Sequence, residues 1–154
     1  MLGGHMNLVW FIKNKNMYTI SKEFHFSASH ILYGLDDGHP CGRMHGHNYV
    51  IVVELQSDTL NDVGFVKDYR ELDPIKAFID DHLDHRHLND ILLYDGQEER
   101  LLFHGNPSAE IMARELFLLF RSMVPFVHSV TVKETPKTAA RYERNQFSPS
   151  VASI

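Results

Sequence analysis

Cysteine is nearly absent from this chain, which has a single one among 154 residues. One cysteine excludes an internal disulfide framework, so we expect a protein of the reducing cytoplasm. No stretch approaches the roughly 18 consecutive apolar residues of a transmembrane helix, which excludes a membrane-spanning protein. Internal repeats, low-complexity tracts and linkers are also absent. The sequence therefore predicts one globular domain.

Positive charge is in the minority, with 15 Lys and Arg against 20 Asp and Glu and a formal net charge of -5. Because a nucleic acid is bound through a basic field, this balance argues against DNA or RNA as a partner. A small anionic substrate held by a few local cations stays compatible with it. Histidine is abundant, with 11 residues, and it is the commonest transition-metal ligand.

The two ends of the sequence differ from its middle. Residues 1–16 read as a leader partly of cloning origin, with Met6 or Met17 as the natural start, and their apolar run is too short for a signal peptide. Residues 145–154 read as a loose tail. We therefore expect residues 17–144 to form the single domain.

Two segments near the start alternate between apolar and polar residues, which is typical of half-buried strands. The first runs from Tyr18 to Ile31 and has His30 at the end of its apolar face. The second runs from about His45 to Gln56, and its apolar face begins with His45 and His47. If the two strands pair as a hairpin, the three histidines come close together.

Two helices and a second pair of strands are predicted after this hairpin. Asp73 is expected to cap a helix whose first position is Pro74, and residues 90–105 are expected to be a loop. The first helix is predicted to start near residue 70 or 74, and the second to run from residue 106 or 108 to a point before Pro125. Strands are predicted over residues 127–134 and 139–144. The order β-β-α-α-β-β predicts an α+β domain with an antiparallel sheet and helices on one side.

The three histidines have the pattern of a catalytic zinc site. His30, His45 and His47 match an open three-ligand site, in which water or substrate takes the fourth position. Residues 45 and 47 point the same way from an extended strand. Two other interpretations stay open: three unrelated histidines, and a closed structural zinc site that includes Cys41.

Further polar residues are candidates for chemistry. Next to a metal and Arg43, the Cys41 thiolate would be favoured, as a ligand, nucleophile or base. The pair Asp84-His85 has acid–base potential, although adjacent residues seldom orient each other well. Glu134 closes an apolar strand face, where an unpaired carboxylate needs a donor from protein or ligand. Glu110 lies in a first helical turn, where complementarity to the helix dipole suffices to explain it.

Six motifs occur in an order that resembles the 6-pyruvoyltetrahydropterin synthase family. They are FSASH (26–30), CGRMHGHNY (41–49), GFVKDY (64–69), LDHRHLND (83–90), NPSAE (106–110) and VKET (132–135). The resemblance spans about residues 18–143. It is closest to the 6-carboxytetrahydropterin synthase branch of the queuosine and 7-deazapurine pathway, because only three residues separate Cys41 from the HGH triplet.

The resemblance implies a tunnelling fold (T-fold), in which small sheets of several subunits join around an axis into a barrel. Such barrels usually form a homo-hexamer of two stacked trimers. The resemblance also implies Zn2+ on His30, His45 and His47. The active site is then shared between subunits.

The same resemblance implies roles for other residues. Cys41 would act as a base, and the Asp84-His85 pair would come from a neighbouring subunit to relay protons. Glu110 would anchor the amino-pyrimidine edge of a pterin, and Glu134 with the adjacent Thr135 would also lie at the site.

The implied activity is that of a zinc-dependent lyase converting 7,8-dihydroneopterin triphosphate to 6-carboxy-5,6,7,8-tetrahydropterin, with loss of triphosphate and acetaldehyde. Alternatives are 6-pyruvoyltetrahydropterin synthase and a folate-pathway side-chain lyase on dihydroneopterin. A pterin-binding zinc protein without turnover belongs to another class, and a cysteine hydrolase using Cys41 and His85 is the weakest alternative.

This chain departs from the family pattern at a few positions. Ser108 and Ala109 stand where Thr and Ser are usual, and the stretch 91–105 and the tail are longer. A longer loop there bears on substrate choice. Candidate cations for the triphosphate are Arg43, Lys133 and Arg141.

Overall fold

The computed structural model describes residues 16–144. Nearly all of the predicted leader and all of the predicted tail lie outside the described residues. Within this range, no helix is long and apolar enough to cross a lipid bilayer.

The described residues form seven strands and two α-helices. The strands are β1 (Tyr18–His30), β2 (His45–Ser57), β3 (Arg86–His87), β4 (Leu92–Tyr94), β5 (Glu99–Leu101), β6 (Val127–Thr135) and β7 (Thr138–Glu143), and the helices are α1 (Asp73–Phe78) and α2 (Ala109–Met123). A five-stranded sheet has the order β3-β1-β2-β6-β7. The four long strands and two helices therefore follow the predicted β-β-α-α-β-β order.

The hairpin of β1 and β2 sets the frame for the rest of the domain. The two strands pair antiparallel without interruption, from Tyr18 opposite Ser57 to His30 opposite His45. Both are long and rich in β-branched and aromatic residues, which suit a pleated, half-buried surface. The predicted hairpin is confirmed, and it brings the histidine ends of both strands together.

One face of this sheet carries the apolar core, against which both helices pack. Its alternating residues are inaccessible or nearly so, as the period-two pattern predicted. The largest fully buried side chains include Tyr49, Phe103, Phe120, Ile51 and Leu116. His30 lies at the end of this face and is only 1% exposed, so the core extends up to the histidines.

The prediction of a loop over 90–105 was wrong in part. This segment contains a small antiparallel hairpin of β4 and β5, whose turn forms around Asp95 and Gly96. Asp95 Oδ1 accepts hydrogen bonds from the backbone N–H groups of Gln97 and Glu98, while Gly96 takes a φ of 97°. Its strands have three residues each, too few for alternation to be recognised.

The sheet is mixed and not purely antiparallel, which corrects the prediction. The two-residue strand β3 pairs parallel with β1, placing Arg86 beside Ala28 and His87 beside Ser29. A strand of two residues carries no sequence periodicity. Its pairing depends on the turn that ends the preceding helix.

The start of the first helix differs from the prediction at Asp73. Asp73 is instead the first residue of α1. Leu72 takes the N-cap position, and its side chain makes no capping hydrogen bond. The cap lies earlier, where Asp68 and Glu71 form a capping box at the start of a 3-10 turn. For α2, Ser108 is the N-cap, with its hydroxyl accepting from the Ile111 N–H, which is the second of the two predicted starts.

Candidate metal centre and active site

Three histidine side chains converge where the β1–β2 hairpin meets the core. His30, His45 and His47 each offer a ligand atom, and these atoms all lie within 4.8 Å of one another. Their ring centroids are between 4.5 and 5.1 Å apart. The pairing of His30 with His45 in the hairpin register produces this convergence, as the strand pattern predicted.

Hydrogen bonds to the backbone fix the orientation of two of these rings. Nδ1 of His30 is 2.9 Å from the Pro107 carbonyl oxygen, and Nδ1 of His45 is 2.8 Å from the Arg43 carbonyl oxygen. Because a carbonyl oxygen only accepts, each Nδ1 must carry the proton and donate it. In the neutral rings, both Nε2 atoms therefore present lone pairs to the centre of the cluster.

The electrostatic environment keeps two of the rings neutral. Burial, more than the nearby His45, lowers the pKa of both His30 and His47 below the ordinary value of 6.5. A neutral imidazole is the form that binds a metal.

The donor set fits a zinc ion. Nε2 of His30 and Nε2 of His45 are 3.0 Å apart, and a metal ion or a proton that both nitrogens share would stabilise two lone pairs at that distance. Tetrahedral zinc with ligand distances of about 2.05 Å places two nitrogens about 3.3 Å apart. Donation from Nδ1–H to a carbonyl is the usual support for a histidine ligand.

Two asparagines brace the loop after β1. The sequence predicted this role for neither of them, although Asn106 was one of the two predicted starts of the second helix. Asn89 accepts from the Ile31 N–H and donates to the Ile31 carbonyl, both at 2.9 Å. Asn106 makes the same pair of bonds with Tyr33, at 2.7 and 2.8 Å. Each side-chain amide thus replaces a strand partner for one residue of the loop. Asn89 lies in the LDHRHLND motif and Asn106 in the NPSAE motif, and these positions were the indication in the sequence that both residues matter.

The two strands approach each other very closely at Gly46. A Cβ built on Gly46 would lie 3.1 Å from the Ala28 carbonyl oxygen. That position lies between His45 and His47 and faces the strand that carries His30. Glycine in the HGH triplet therefore allows the close strand spacing that brings the histidines together.

Cys41 lies in a 3-10 turn just before β2 and is partly exposed. Its backbone is held at both ends, since its N–H donates to His39 Nδ1 and its carbonyl accepts from the Leu32 N–H. The metal-capable group found among residues 16–144 consists of the three histidines and does not include this thiol. The geometry thus favours the open three-histidine interpretation over a closed site that includes Cys41.

Asp84 and His85 form a hydrogen-bonded pair, contrary to the expectation that adjacent residues orient each other poorly. Asp84 Oδ2 lies 2.8 Å from His85 Nδ1. A π-helical turn over Ile79–Leu83 precedes the pair, and His85 takes a φ of 57°. This left-handed backbone conformation turns the ring back toward the preceding carboxylate, which is uncommon for a residue other than glycine.

The edge of β1 holds this pair in place. The Ser27 N–H donates to Asp84 Oδ1 at 2.9 Å, and the His85 N–H donates to the Ser27 carbonyl at 2.6 Å. The Ser27 bond, followed by the bond to His85, lowers the pKa of the Asp84 carboxyl. The His85 side chain is 82% exposed, so it is available to a substrate or to another subunit.

A cavity of about 510 Å³ has both His47 and His85 in its lining. Parts of β1 and β2 form its floor, and Arg86 and His87 form its side. Arg86 donates only a long bond of 3.4 Å to the Asp81 carbonyl. Sequence reasoning did not single out Arg86, although it lies inside the LDHRHLND motif.

The two glutamates singled out from the sequence are close enough to interact. Burial and then the charge of Glu110 raise the pKa of Glu134, while the nearby His45 acts in the opposite direction. Glu110 is exposed in the first turn of α2. Thr135 is exposed, and its hydroxyl is used within the β6–β7 turn, where it bonds to Thr138.

Two of the three candidate cations are already paired with carboxylates. Lys133 is 3.7 Å from Glu23, and Arg141 is 2.7 Å from Glu54. Arg43 is exposed just before β2, and its backbone carbonyl supports His45.

Comparison with known proteins gives a consistent result. The model of the family described as 6-pyruvoyl tetrahydropterin synthase matches residues 19–145. A 6-carboxy-5,6,7,8-tetrahydropterin synthase of Synechocystis is 37% identical over 142 residues, covering 86% of this chain and 98% of the relative. The enzyme of the same name from Bacillus subtilis is 28% identical, covering 81% of this chain and 84% of the relative.

Solved structures of similar proteins have the same fold. An uncharacterized protein from Wolinella succinogenes aligns with a TM-score of 0.71 at 27% identity, covering 84% of this chain and 99% of that one. The 6-pyruvoyl tetrahydropterin synthase of Caenorhabditis elegans aligns with a TM-score of 0.69 at 26% identity, covering 84% of this chain and 97% of that one. The fold is therefore the T-fold, and the chain belongs to the 6-pyruvoyl tetrahydropterin synthase family.

Proposed function

We propose that this protein is a zinc-dependent lyase that converts 7,8-dihydroneopterin triphosphate and one water to 6-carboxy-5,6,7,8-tetrahydropterin, releasing triphosphate and acetaldehyde. The observation that carries this proposal is the convergence of His30, His45 and His47 within 4.8 Å in a chain of this family. The two relatives that carry the carboxy name, at 37% and 28% identity, favour this product over the pyruvoyl compound.

The three histidines would hold the zinc ion through the nitrogens that face one another. A bound zinc ion acidifies hydroxyl groups that reach it and stabilises developing negative charge. The carbonyl oxygens of Pro107 and Arg43 keep Nδ1 of His30 and His45 protonated, so that Nε2 stays directed inward. The protein thereby keeps the donor set ready without rearrangement.

Proton transfer is assigned to Cys41, Asp84 and His85. Cys41 takes a proton from the substrate side chain, acting as the thiolate, which is the reactive form of cysteine. His85 Nδ1 bonds to Asp84, which supports the protonated ring. His85 Nε2 is thus the atom that exchanges a proton with the substrate.

Recognition of the pterin is assigned to Glu110 and Glu134. The amino-pyrimidine edge of a pterin presents two parallel N–H donors, which match the two oxygens of a carboxylate. Within the described residues, nothing donates a hydrogen bond to Glu134. A ligand with N–H groups supplies the donor that a half-buried carboxylate needs. Thr135 follows Glu134 and bonds to Thr138 within the β6–β7 turn, and we assign it to substrate binding together with Glu134.

The triphosphate end of the substrate needs cations, and we assign this role to Arg43 and Arg86. Lys133 and Arg141 are already paired with carboxylates, which weakens the positive potential that they present to a phosphate. Arg86 lines the cavity that also contains His47 and His85. Two arginines form bidentate bonds with phosphate oxygens.

The assembly proposed with this function is a homo-hexamer with active sites shared between subunits, located in the cytoplasm. The edge strand β7 is mostly exposed, and a second copy can pair with such an edge. The reaction belongs to the queuosine and 7-deazapurine pathway, in which a carboxylated tetrahydropterin is the intermediate.

Removal and return of the metal tests the proposal. Purified protein stripped with a chelator should make no product from 7,8-dihydroneopterin triphosphate, and one equivalent of zinc per chain should restore turnover. Cys41→Ala should bind zinc as the wild type does but lose turnover, which separates the base from the metal site. Full activity of the stripped protein would contradict the zinc mechanism, and an active C41A would remove Cys41 from it.

A further inference from the structure

Among residues 16–144, nothing forms a hydrogen bond with the Tyr49 hydroxyl. Tyr49 is 0% exposed, and its hydroxyl oxygen is a buried polar atom without a partner within the described part of the chain. A buried O–H group that bonds to nothing destabilises the fold, and phenylalanine would avoid that cost. A hydroxyl at this position therefore points to a use in another state of the protein.

The ring of Tyr49 is held between the core and the histidine cluster. It stacks on Phe26 with centroids 5.0 Å apart and an interplanar angle of 13°. Its edge contacts the rings of His47, at 5.4 Å, and His30, at 6.0 Å. Packing on several sides prevents the hydroxyl from rotating into solvent, so it can act only on its buried neighbours.

One of those neighbours is the carboxylate of Glu134. The β2–β6 register pairs Val50 with Lys133, and one further residue along both strands places Tyr49 opposite Glu134. Residues directly opposite each other on antiparallel strands point to the same face of the sheet, with Cβ atoms about 4.5–5.5 Å apart, so the phenol of Tyr49 and the carboxylate of Glu134 share one face. Within the described residues, the Tyr49 hydroxyl has no acceptor and the Glu134 carboxylate has no donor, and the two groups are neighbours.

We propose that Tyr49 is a positioning residue that donates a hydrogen bond to Glu134 when a pterin is bound. This inference rests on the proposed function, because the pterin supplies the N–H donors that engage the carboxylate. One oxygen of Glu134 then bonds to the ligand and the other to the Tyr49 hydroxyl, which fixes the plane of the carboxylate. A charge-assisted bond of this kind is stronger than a neutral one.

A packing role for Tyr49 makes different predictions. If the hydroxyl is incidental, Tyr49→Phe changes neither stability nor ligand binding. If the hydroxyl already stabilises the free protein, Y49F lowers the melting temperature. The positioning role alone predicts an unchanged or higher melting temperature together with weaker pterin binding.

The test measures the Kd of neopterin, by its fluorescence, on zinc-loaded protein. The proteins are the wild type, Y49F, Glu134→Gln, the double variant, and Tyr142→Phe as a matched control. Tyr142 contacts Phe117 of α2 and pairs with Val130, four residues before Glu134 on β6. We expect Y49F to raise the Kd about five- to tenfold with unchanged zinc content, and Y142F to leave it unchanged.

The double variant shows whether Tyr49 acts through Glu134. We expect it to bind neopterin no more weakly than E134Q alone, because the hydroxyl then has no carboxylate to orient. Equal Kd values for Y49F and wild type, a lowered melting temperature of Y49F, or additive losses would each overturn the inference. A wild-type protein with no affinity for neopterin would reject the proposed function, and with it the ligand for which Glu134 is positioned.

Discussion

Gly46→Ala is the perturbation that tests most sharply how the fold builds the histidine cluster. The new Cβ would lie 3.1 Å from the Ala28 carbonyl oxygen, 3.7 Å from the Ala28 carbonyl carbon and 3.8 Å from the Ser29 Cα. All three atoms belong to the backbone of β1, which cannot rotate away as a side chain can. The two strands must therefore separate by a few tenths of an ångström at this end.

The cost to stability should be modest. Overpacking costs about 1–3 kcal/mol, and replacing glycine by alanine returns about 0.4–1 kcal/mol through the unfolded chain. The net loss of about 0–2.6 kcal/mol corresponds to a fall in melting temperature of at most about 10 °C for a domain of this size.

The cost to metal binding should be larger. His30 lies on one of the separating strands and the other two histidines lie on the second strand. Metal sites tolerate ligand displacements of only about 0.2 Å, so we expect zinc affinity to fall about 10- to 100-fold. That range corresponds to about 1.4–2.8 kcal/mol.

The assay combines thermal unfolding of the metal-free protein with zinc titration against a chromophoric chelator. Gly42→Ala is the matched control, because a Cβ there would meet only the Leu32 carbonyl oxygen, at 3.9 Å. A G46A protein with wild-type zinc affinity would refute the account of the strand spacing. So would a G42A protein that loses as much affinity as G46A.

Three further predictions concern the residues around the cluster. Asp84→Asn should lower kcat about 100-fold or more while zinc content is unchanged, because the pair with His85 loses its charge; steady-state kinetics and metal analysis decide this. Since the pKa values of His30 and His47 are lowered, the histidine contribution to the stability of metal-free protein should be complete above pH 6.5 and decline as unfolded histidines take up protons below it. A melting temperature that does not fall between pH 7 and pH 5.5 would contradict this. Asn106→Ala removes two hydrogen bonds to the loop after β1 and should lower the free energy of unfolding by about 1–3 kcal/mol, as chemical denaturation would measure.

The long strands of the fold could be predicted from the sequence because each carries its own periodic signal. Alternation over β1 and β2 indicated the buried face of each strand and the position of the histidines at its end, and the structure adds the register at which His30 meets His45. The metal-capable cluster followed from that register and from the two-residue spacing in the HGH triplet. Its recognition thus required only local patterns and one pairing.

The parts that could not be predicted depend on tertiary contacts. The orientation of Asp84 and His85 depends on a π-helical turn and a φ of 57°, which no propensity indicates. The capping box of Asp68 and Glu71 is different, because it is a local pattern that was present in the sequence and was missed. The parallel pairing of β3 arises from how the helix region meets the edge of β1. A sequence pattern covers one element at a time, whereas the pairing of β3 joins two.

The supporting residues illustrate the same limit. Asn89 and Asn106 each form hydrogen bonds with the backbone of one residue of the same loop. The sequence does not indicate which backbone group an asparagine side chain will bond to. The Tyr49 hydroxyl appears in the sequence as one more residue of an apolar strand face. Its lack of a partner emerges only from the three-dimensional packing.

The most direct test of the proposed function is the identity of the product. Zinc-loaded protein is incubated with 7,8-dihydroneopterin triphosphate, and the pterin products are resolved by liquid chromatography and mass spectrometry while acetaldehyde is trapped as its hydrazone. The account predicts 6-carboxy-5,6,7,8-tetrahydropterin and acetaldehyde in equal amounts, and neither from metal-stripped protein. A 6-pyruvoyl product, cleavage of dihydroneopterin without carboxylate formation, or unchanged substrate would contradict it.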